Sequence, residues 1–363
     1  MKQYVIHDLI KISVSEGVPK MTKKGIDFQI EHFSVLGESE RDIPYLITVL
    51  PYSEYKKPRT ETFSIFHGIK GIQGKEMLDE SKMLAVEKTE TGYTIYTGGY
   101  FLINTFIQLI LVKEGYSMIH AACIVDSKGR GLLLPGAGGV GKTSILGHLL
   151  KKEYRALGDD IVIAKSDGEC LSFPRSFVLK SYHQSIYPEL FEKLHLLNSK
   201  KKIIPSLLEF IRKNAPFTDL TKKILKKAGL YKKVYNTWPF PEDQASVPIS
   251  EIFGENAITE RAQIKKIVFL ERYEGKDMTL QPIKNELVAQ RMFSIINHEL
   301  ASEIEFLCRL GAYELAYIDG YFQTMSNTIQ RFVRGADCSI LKIPVSTSPE
   351  ELAEKFESLC LHP

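Results

Sequence analysis

Cysteine is sparse in this chain, with five among 363 residues, at Cys123, Cys170, Cys308, Cys338 and Cys360. They are widely scattered and no C-x-x-C pair exists, which excludes the sequence signatures of a zinc site and of a redox dithiol. The expected state is reduced cysteine in or near a core. Long apolar runs are missing too. A membrane span needs roughly 18 apolar residues in a row. The most apolar segment, Phe101 to Val112, is broken by Asn104, Thr105 and Gln108, and it reads as a buried helix. The first ten residues contain Asp8 and lack a small-residue cleavage site, so they do not read as a signal peptide. A cytoplasmic location is the expectation. There is no internal repeat and no low-complexity tract.

What is present is the composition of an ordinary globular protein: 44% hydrophobic and 25% charged residues. The length suits one large or two modest domains. The net charge of +3 hides an asymmetry. Residues 191–240 hold twelve Lys and Arg against three Asp and Glu, a local +9, so the remainder carries −6. This stretch reads as helical. Its lysines at 200–202, 222–223 and 226–227 suit either the solvated faces of helices or attraction to an acidic protein, precursor peptide or phosphorylated ligand. No recognised nucleic-acid motif accompanies it, which weighs against nucleic acid as partner. Trp238 stands in a Pro-flanked loop and suits a core anchor and an exposed contact equally.

Residues 1–98 read as a mostly β domain. They contain short β-type runs such as Tyr45–Leu50 and a hairpin over 83–96 turning at Glu90-Thr91-Gly92. Beyond Gly98-Gly99 comes the apolar helix, about 101–114, with Gly115 as its C′ residue. A strand over 117–125, a turn at 126–130 and a second strand over 131–135 lead into a glycine-rich loop. Residues 154–164 read as a strand interrupted by two aspartates. A hairpin is expected over Ile264–Leu280, with its turn at 274–277. Helices follow over roughly 285–334, then a strand over Cys338–Ile343. A last helix opens at Ser348-Pro349-Glu350-Glu351, with Pro near N1 and acids in the first turn.

The loop is the most specific signal. Gly136, Ala137, Gly138, Gly139, Val140, Gly141, Lys142 and Thr143 spell G-x-x-x-x-G-K-[ST]. An apolar run, Leu132–Leu134, precedes it, and Ser144 continues it into a helix. Strand, loop, helix is the context a phosphate-binding loop requires. Glycines let backbone N–H groups turn inward around phosphate oxygens, and the helix N-terminus adds its positive dipole end. Lys142 is placed to reach the β- and γ-phosphates, and Thr143 to hold Mg²⁺. A nucleoside triphosphate is the expected ligand: ATP, with GTP as the alternative, since no base-reading motif is evident.

Phosphoryl transfer also needs a metal ligand and a group that takes the nucleophile's proton. Asp159 and Asp160 lie 17 and 18 residues beyond Lys142, where the strand after the helix comes back beside the loop. Adjacent carboxylates in a strand point to opposite faces, so one can hold Mg²⁺ and the other can accept a hydroxyl proton. His120 lies on the strand that enters the preceding hairpin.

His120-Ala-Ala-Cys-Ile-Val, then Gly131 to Thr143, then Arg155-Ala-Leu-Gly-Asp-Asp160, together resemble the catalytic domain of HPr kinase/phosphorylase. The likeness is specific over about 117–180 and looser over about 245–360, and it leaves out residues 1–98. It implies an α/β fold with a P-loop catalytic domain of the phosphoenolpyruvate-carboxykinase/HPr-kinase type over 99–363. An N-terminal mostly β domain precedes it, and a helical basic insertion interrupts it at about 184–240. It implies transfer of the γ-phosphoryl group of ATP to a hydroxyl. Asp159 would be the general base, tuned by His120; Thr143 and Asp160 would hold Mg²⁺; Lys142 would stabilise the moving phosphoryl. The chain departs from the family after the Asp-Asp strand. The Leu-Glu-Ile-Arg-Gly-Leu-Gly signature is absent, and Phe173-Pro-Arg-Ser-Phe-Val-Leu-Lys180 stands in its place. Arg175 and Lys180 could face phosphate or substrate there, or be surface cations flanking a strand. The departure leaves open the acceptor, the reverse phosphorylase reaction and the homo-oligomeric state.

The leading expectation is therefore a kinase acting on Ser or Thr of a peptide or small protein, or on a small serine-like metabolite. A carboxykinase-like enzyme would need a second His/Asp metal cluster, which the sequence does not offer. A nucleotide-binding regulatory module with little or no transfer is the alternative from a different class.

Overall fold

The computed structural model describes residues 1–37, 42–58, 63–99, 101–180 and 244–361. The basic segment 191–240, the insertion expected at about 184–240 and Trp238 lie outside the described residues.

The first 97 residues build one large sheet. Its strands are β1 (Lys2–Ile6), β2 (Ile10–Val14), β3 (Ser34–Val35), β4 (Tyr45–Pro51), β5 (Ser64–Phe66), β6 (Ile69–Ile72), β7 (Glu76–Asp79), β8 (Leu84–Lys88) and β9 (Gly92–Thr97). They lie in the order β3-β1-β2-β4-β9-β8-β7-β6-β5. The helix Lys20–Ile30, which the strand-rich reading of this region did not foresee, buries Thr22, Ile26 and Ile30. These lie four residues apart, the spacing of one helix face.

The second sheet contains β10 (Tyr116–Val125), β11 (Arg130–Pro135), β12 (Arg155–Gly158), β13 (Ile161–Lys165), β14 (Glu169–Leu171), β17 (Arg261–Tyr273), β18 (Thr279–Pro282) and β19 (Asp337–Pro344). The order is β11-β10-β13-β14-β17-β19-β18, with β12 on β10. β11 also runs parallel to β17, so five of these strands close on themselves. Two further strands, β15 (Phe177–Lys180) and β16 (Gln244–Val247), pair separately.

The expected hairpin over Ile264–Leu280 is not formed. β19 lies between β17 and β18, parallel to the first and antiparallel to the second. The reason is burial. β19 carries Cys338, Ile340, Leu341 and Ile343 in the interior, and an apolar strand of this kind gains more from a central position than from an edge.

Side chains alternate across β10. Ile119, Ala121, Cys123 and Val125 join one apolar cluster; Ala122 and Ile124 join another. The first cluster includes the N-terminal sheet, the helix Ile103–Lys113 and the helices Asn285–Glu299, Ala301–Ala312 and Ile318–Val333. The second includes the helices Lys142–Leu150 and Pro349–Cys360. Covered on both faces, the strands can be apolar throughout. Gly115 ends the helix Ile103–Lys113 at φ 76°, and the Ser348 side chain accepts the Glu351 N–H at 3.2 Å to open the last helix. Among the described residues, no helix is long and apolar enough to cross a membrane.

Candidate active site

Strand register assembles the site. On β10, Ala121 pairs with Pro135, the residue before the glycine-rich loop. The neighbouring His120 pairs with Ile161, the residue after Asp160. One strand therefore holds His120 between the start of the loop and the acidic pair. Asp159 and Asp160 fall in a bend between β12 and β13.

The loop connects β11 directly to the helix Lys142–Leu150. Gly139 and Gly141 take φ of 79° and 112°, in the left-handed region that L side chains avoid. A Cβ at Gly141 would also overlap the Leu352 side chain of the last helix. Ala137, Gly138 and Gly139 are exposed at the tip, while Val140 and Ser144 are buried beneath it.

Lys142 is buried. Its Nζ donates to Gly136 O at 2.8 Å, to Ala137 O at 3.0 Å and to His120 Nε2 at 2.8 Å. An ammonium can only donate, so His120 Nε2 accepts and the ring proton lies on Nδ1. That nitrogen faces Asp160 Oδ1 at 3.4 Å. Burial pushes the His120 pKa down, Asp160 opposes the shift, and Lys142 adds to it. His120 is thus a neutral link between the loop lysine and Asp160.

The two aspartates have different surroundings. Asp159 is 7% exposed. The Thr143 hydroxyl donates to its Oδ2 at 2.9 Å, and its buried Oδ1 has no hydrogen-bond partner. Burial, with the neighbouring Asp160 charge second, pushes its pKa up to about 7. Asp160 is half-buried and receives Arg175 Nη1 at 2.8 Å. The pairing is thus the reverse of the expected one: Thr143 bonds Asp159, not Asp160, and His120 faces Asp160, not Asp159. The physical reason is the bend. It turns Asp159 inward under the helix and leaves Asp160 on the rim beside β10.

Arg175 joins the site through Asp160. Lys180 lies on β15, and its side chain is outside the described residues. The N-terminal region supports Arg175: its guanidinium stacks over the Phe28 ring at 5.1 Å. Phe33 packs on Phe173 at 5.7 Å, and His7 Nε2 bonds Ser172 O at 2.7 Å. Sequence reasoning missed Phe28, whose helix lies outside every motif. It also missed Glu299, whose Oε1 accepts the Gly138 N–H at 3.2 Å. A carboxylate at a helix C-terminus opposes the helix dipole, and that is the one signal that could have singled it out. Among the described residues, no group of three or more His, Cys, Asp and Glu could hold a metal ion.

No family model matches the chain, and no curated protein does. Among solved structures it is similar to the HPr(Ser) kinase/phosphatase from Coxiella burnetii. The identity is 10% and the TM-score 0.27, over 68% of this chain and 99% of that one. A likeness of that size carries no functional argument. The site itself does: a glycine loop on a helix N-terminus, a buried lysine beneath it, and carboxylates in two distinct environments.

Proposed function

We propose that this protein is an ATP-dependent phosphotransferase that moves the γ-phosphoryl group to a hydroxyl, either Ser or Thr of a peptide or small protein, or a small serine-like metabolite. The observation that carries the reading is the buried, unpartnered Oδ1 of Asp159 beside Thr143 at the foot of the loop. An orphaned buried carboxylate oxygen costs about 1–3 kcal/mol, and a cation would satisfy it. Mg²⁺ typically takes one or two protein oxygens and completes its shell with phosphates and water. Thr143 and Asp159 fit that role without a larger acidic cluster. When bound, Mg²⁺ supplies positive charge to the phosphoryl oxygens.

The remaining steps belong to the chain's own groups. The N–H groups of 138–143 receive phosphate oxygens, and Lys142 leaves its loop carbonyls to meet the β/γ region. Neutral His120 holds Asp160 in place through Nδ1–H. Asp160, accessible on the rim, accepts the hydroxyl proton as the oxygen attacks phosphorus. Arg175 holds the other oxygen of Asp160. The carboxylate roles are therefore exchanged relative to the sequence-based expectation, because Asp159 is enclosed and Asp160 is reachable. The basic segment 191–240 would recruit an acidic acceptor.

The test is transfer from γ-labelled ATP with Mg²⁺ to a panel of hydroxy-amino acids and Ser/Thr peptides. Label on an acceptor, lost in Lys142→Ala and Asp160→Asn, supports the reading. Tight Mg·ATP binding without transfer to any acceptor, unchanged in Asp160→Asn, means a nucleotide-binding regulatory module instead.

A further inference from the structure

Glu299 lies 161 residues from the glycine loop in sequence, yet its carboxylate is seated on it. Oε1 accepts the Gly138 N–H at 3.2 Å. The same oxygen lies 3.9 Å from His120 Nε2, the atom that receives Lys142 Nζ at 2.8 Å. A Cβ at Gly138 would meet this oxygen at 3.5 Å, an ordinary van der Waals distance, so the carboxylate lies directly against the loop residue. Glu299 thus occupies an amide that a phosphate oxygen would use, on the lysine side of the cradle.

Two features make this placement more than a surface contact. Glu299 is the last residue of the helix Asn285–Glu299, where the helix dipole disfavours an acid. The helix packs into the core through buried Val288, Ala289, Met292 and Ile296. Its end is therefore aimed at the loop by core packing. The loop also already faces Asp159 and Asp160, against the cations Lys142 and Arg175 and a neutral His120. A third carboxylate tips the balance of the site to negative, an unusual surrounding for a group meant to receive a polyanion.

We propose that Glu299 is a selectivity residue for the phosphate cradle. Its carboxylate fills the Gly138 amide and repels bare phosphates, so that a triphosphate enters only with a divalent cation to offset the acidic site. This rests on the nucleotide-site reading above. When a phosphate takes the Gly138 N–H, the Glu299 side chain, one-third exposed, has open solvent into which to swing.

The experiment is calorimetric titration of ATP, with Mg²⁺ and with excess EDTA, into the full-length wild type, Glu299→Gln, Glu299→Ala and Lys142→Ala. Thermal melts would check that each variant is folded. The wild type is expected to bind Mg·ATP at least about tenfold more tightly than metal-free ATP. Both Glu299 variants are expected to bind metal-free ATP about tenfold more tightly than the wild type, narrowing the metal dependence. Glu299→Gln keeps the size of the side chain and an acceptor oxygen, so its gain would isolate the charge. Unchanged or weaker metal-free binding in both variants overturns the proposal. If Mg·ATP binding to the wild type then still disappears in Lys142→Ala, the nucleotide site stands alone. Failure of every protein to bind, Glu299→Ala included, overturns both readings.

Discussion

The two sheets treat their buried acids in opposite ways. In the N-terminal sheet, Glu76 is 2% exposed and Asp79 6% exposed. Each is tied to its surroundings. Tyr55 donates to Glu76 at 2.9 Å; Ser81 and the Lys82 N–H donate to Asp79 at 2.6 and 3.2 Å; Arg309 stands 3.8 Å from Asp79. In the second sheet, Asp159 is as deeply enclosed and receives one hydroxyl, with its other oxygen left over. Burial without partners is costly. An acid kept in that condition suits a ligand still to arrive, whereas a fully bonded one holds structure. The N-terminal acids are thus bonded into the scaffold, and Asp159 is the under-bonded acid of the candidate site.

Five substitutions would break or sharpen this contrast. The largest effect is expected at Tyr313, which anchors the N-terminal sheet by donating to Ile69 O at 2.6 Å and accepting the Phe66 N–H at 3.1 Å. Tyr313→Ala should cost about 3–5 kcal/mol in chemical denaturation. A small loss would mean that the two sheets are barely coupled.

At Lys142, alanine should lower phosphoryl transfer by about 10²–10³-fold and remove Mg·ATP binding in calorimetry. Transfer at the wild-type rate would remove the lysine from the mechanism.

Asp159→Asn should also reduce transfer about 10²-fold, yet leave thermal stability unchanged or raised. Asp79→Ala, by contrast, should cost about 1–3 kcal/mol by stranding its donors. Equal destabilisation by the two would erase the distinction between scaffold and site acids. The pH dependence carries the same point. Asp159 has its pKa raised in the folded protein to about 7 from an ordinary 3.8. The folded state therefore binds more protons, and its contribution to stability is full below pH 4 and is lost as pH rises through about 7. Melts of the wild type and Asp159→Asn should diverge across that window, with the variant favoured at the alkaline end. Mg²⁺ should bind the wild type more tightly as pH rises through 7, because the carboxylate must shed its proton first.

The smallest effect is expected at Phe28, whose ring supports the Arg175 guanidinium. Phe28→Ala removes a cation–π contact of about 0.5–2 kcal/mol and should raise the acceptor KM severalfold at near-normal stability. A loss as large as that of Lys142→Ala would place the N-terminal region within the site itself.

How much of this could be read in advance follows the range of the forces involved. The loop was legible because its requirement is local: glycines at two positive-φ positions, then a lysine and a hydroxyl at a helix start. Gly115 and Ser348 marked helix ends for the same reason. The acidic pair was recognisable as a pair, but its division of roles was not. Which aspartate meets Thr143 depends on a bend and on the register of β13 with β10. The β17–β18 hairpin does not form because a third strand, beginning 55 residues beyond the end of β18, takes the place between them, and a turn sequence cannot reveal it.

The residue types and spacing of 136–143, with the two aspartates that follow, determined that a glycine loop opening a helix would form with carboxylates nearby, because backbone conformation and helix capping act over a few residues. Packing alone decided that Asp159 is enclosed and Asp160 accessible, that Phe28 supports Arg175, and that Glu299 rests on the Gly138 amide. Each of those contacts joins distant parts of the chain, and only burial of a shared core specifies which of many acids and aromatics arrives there.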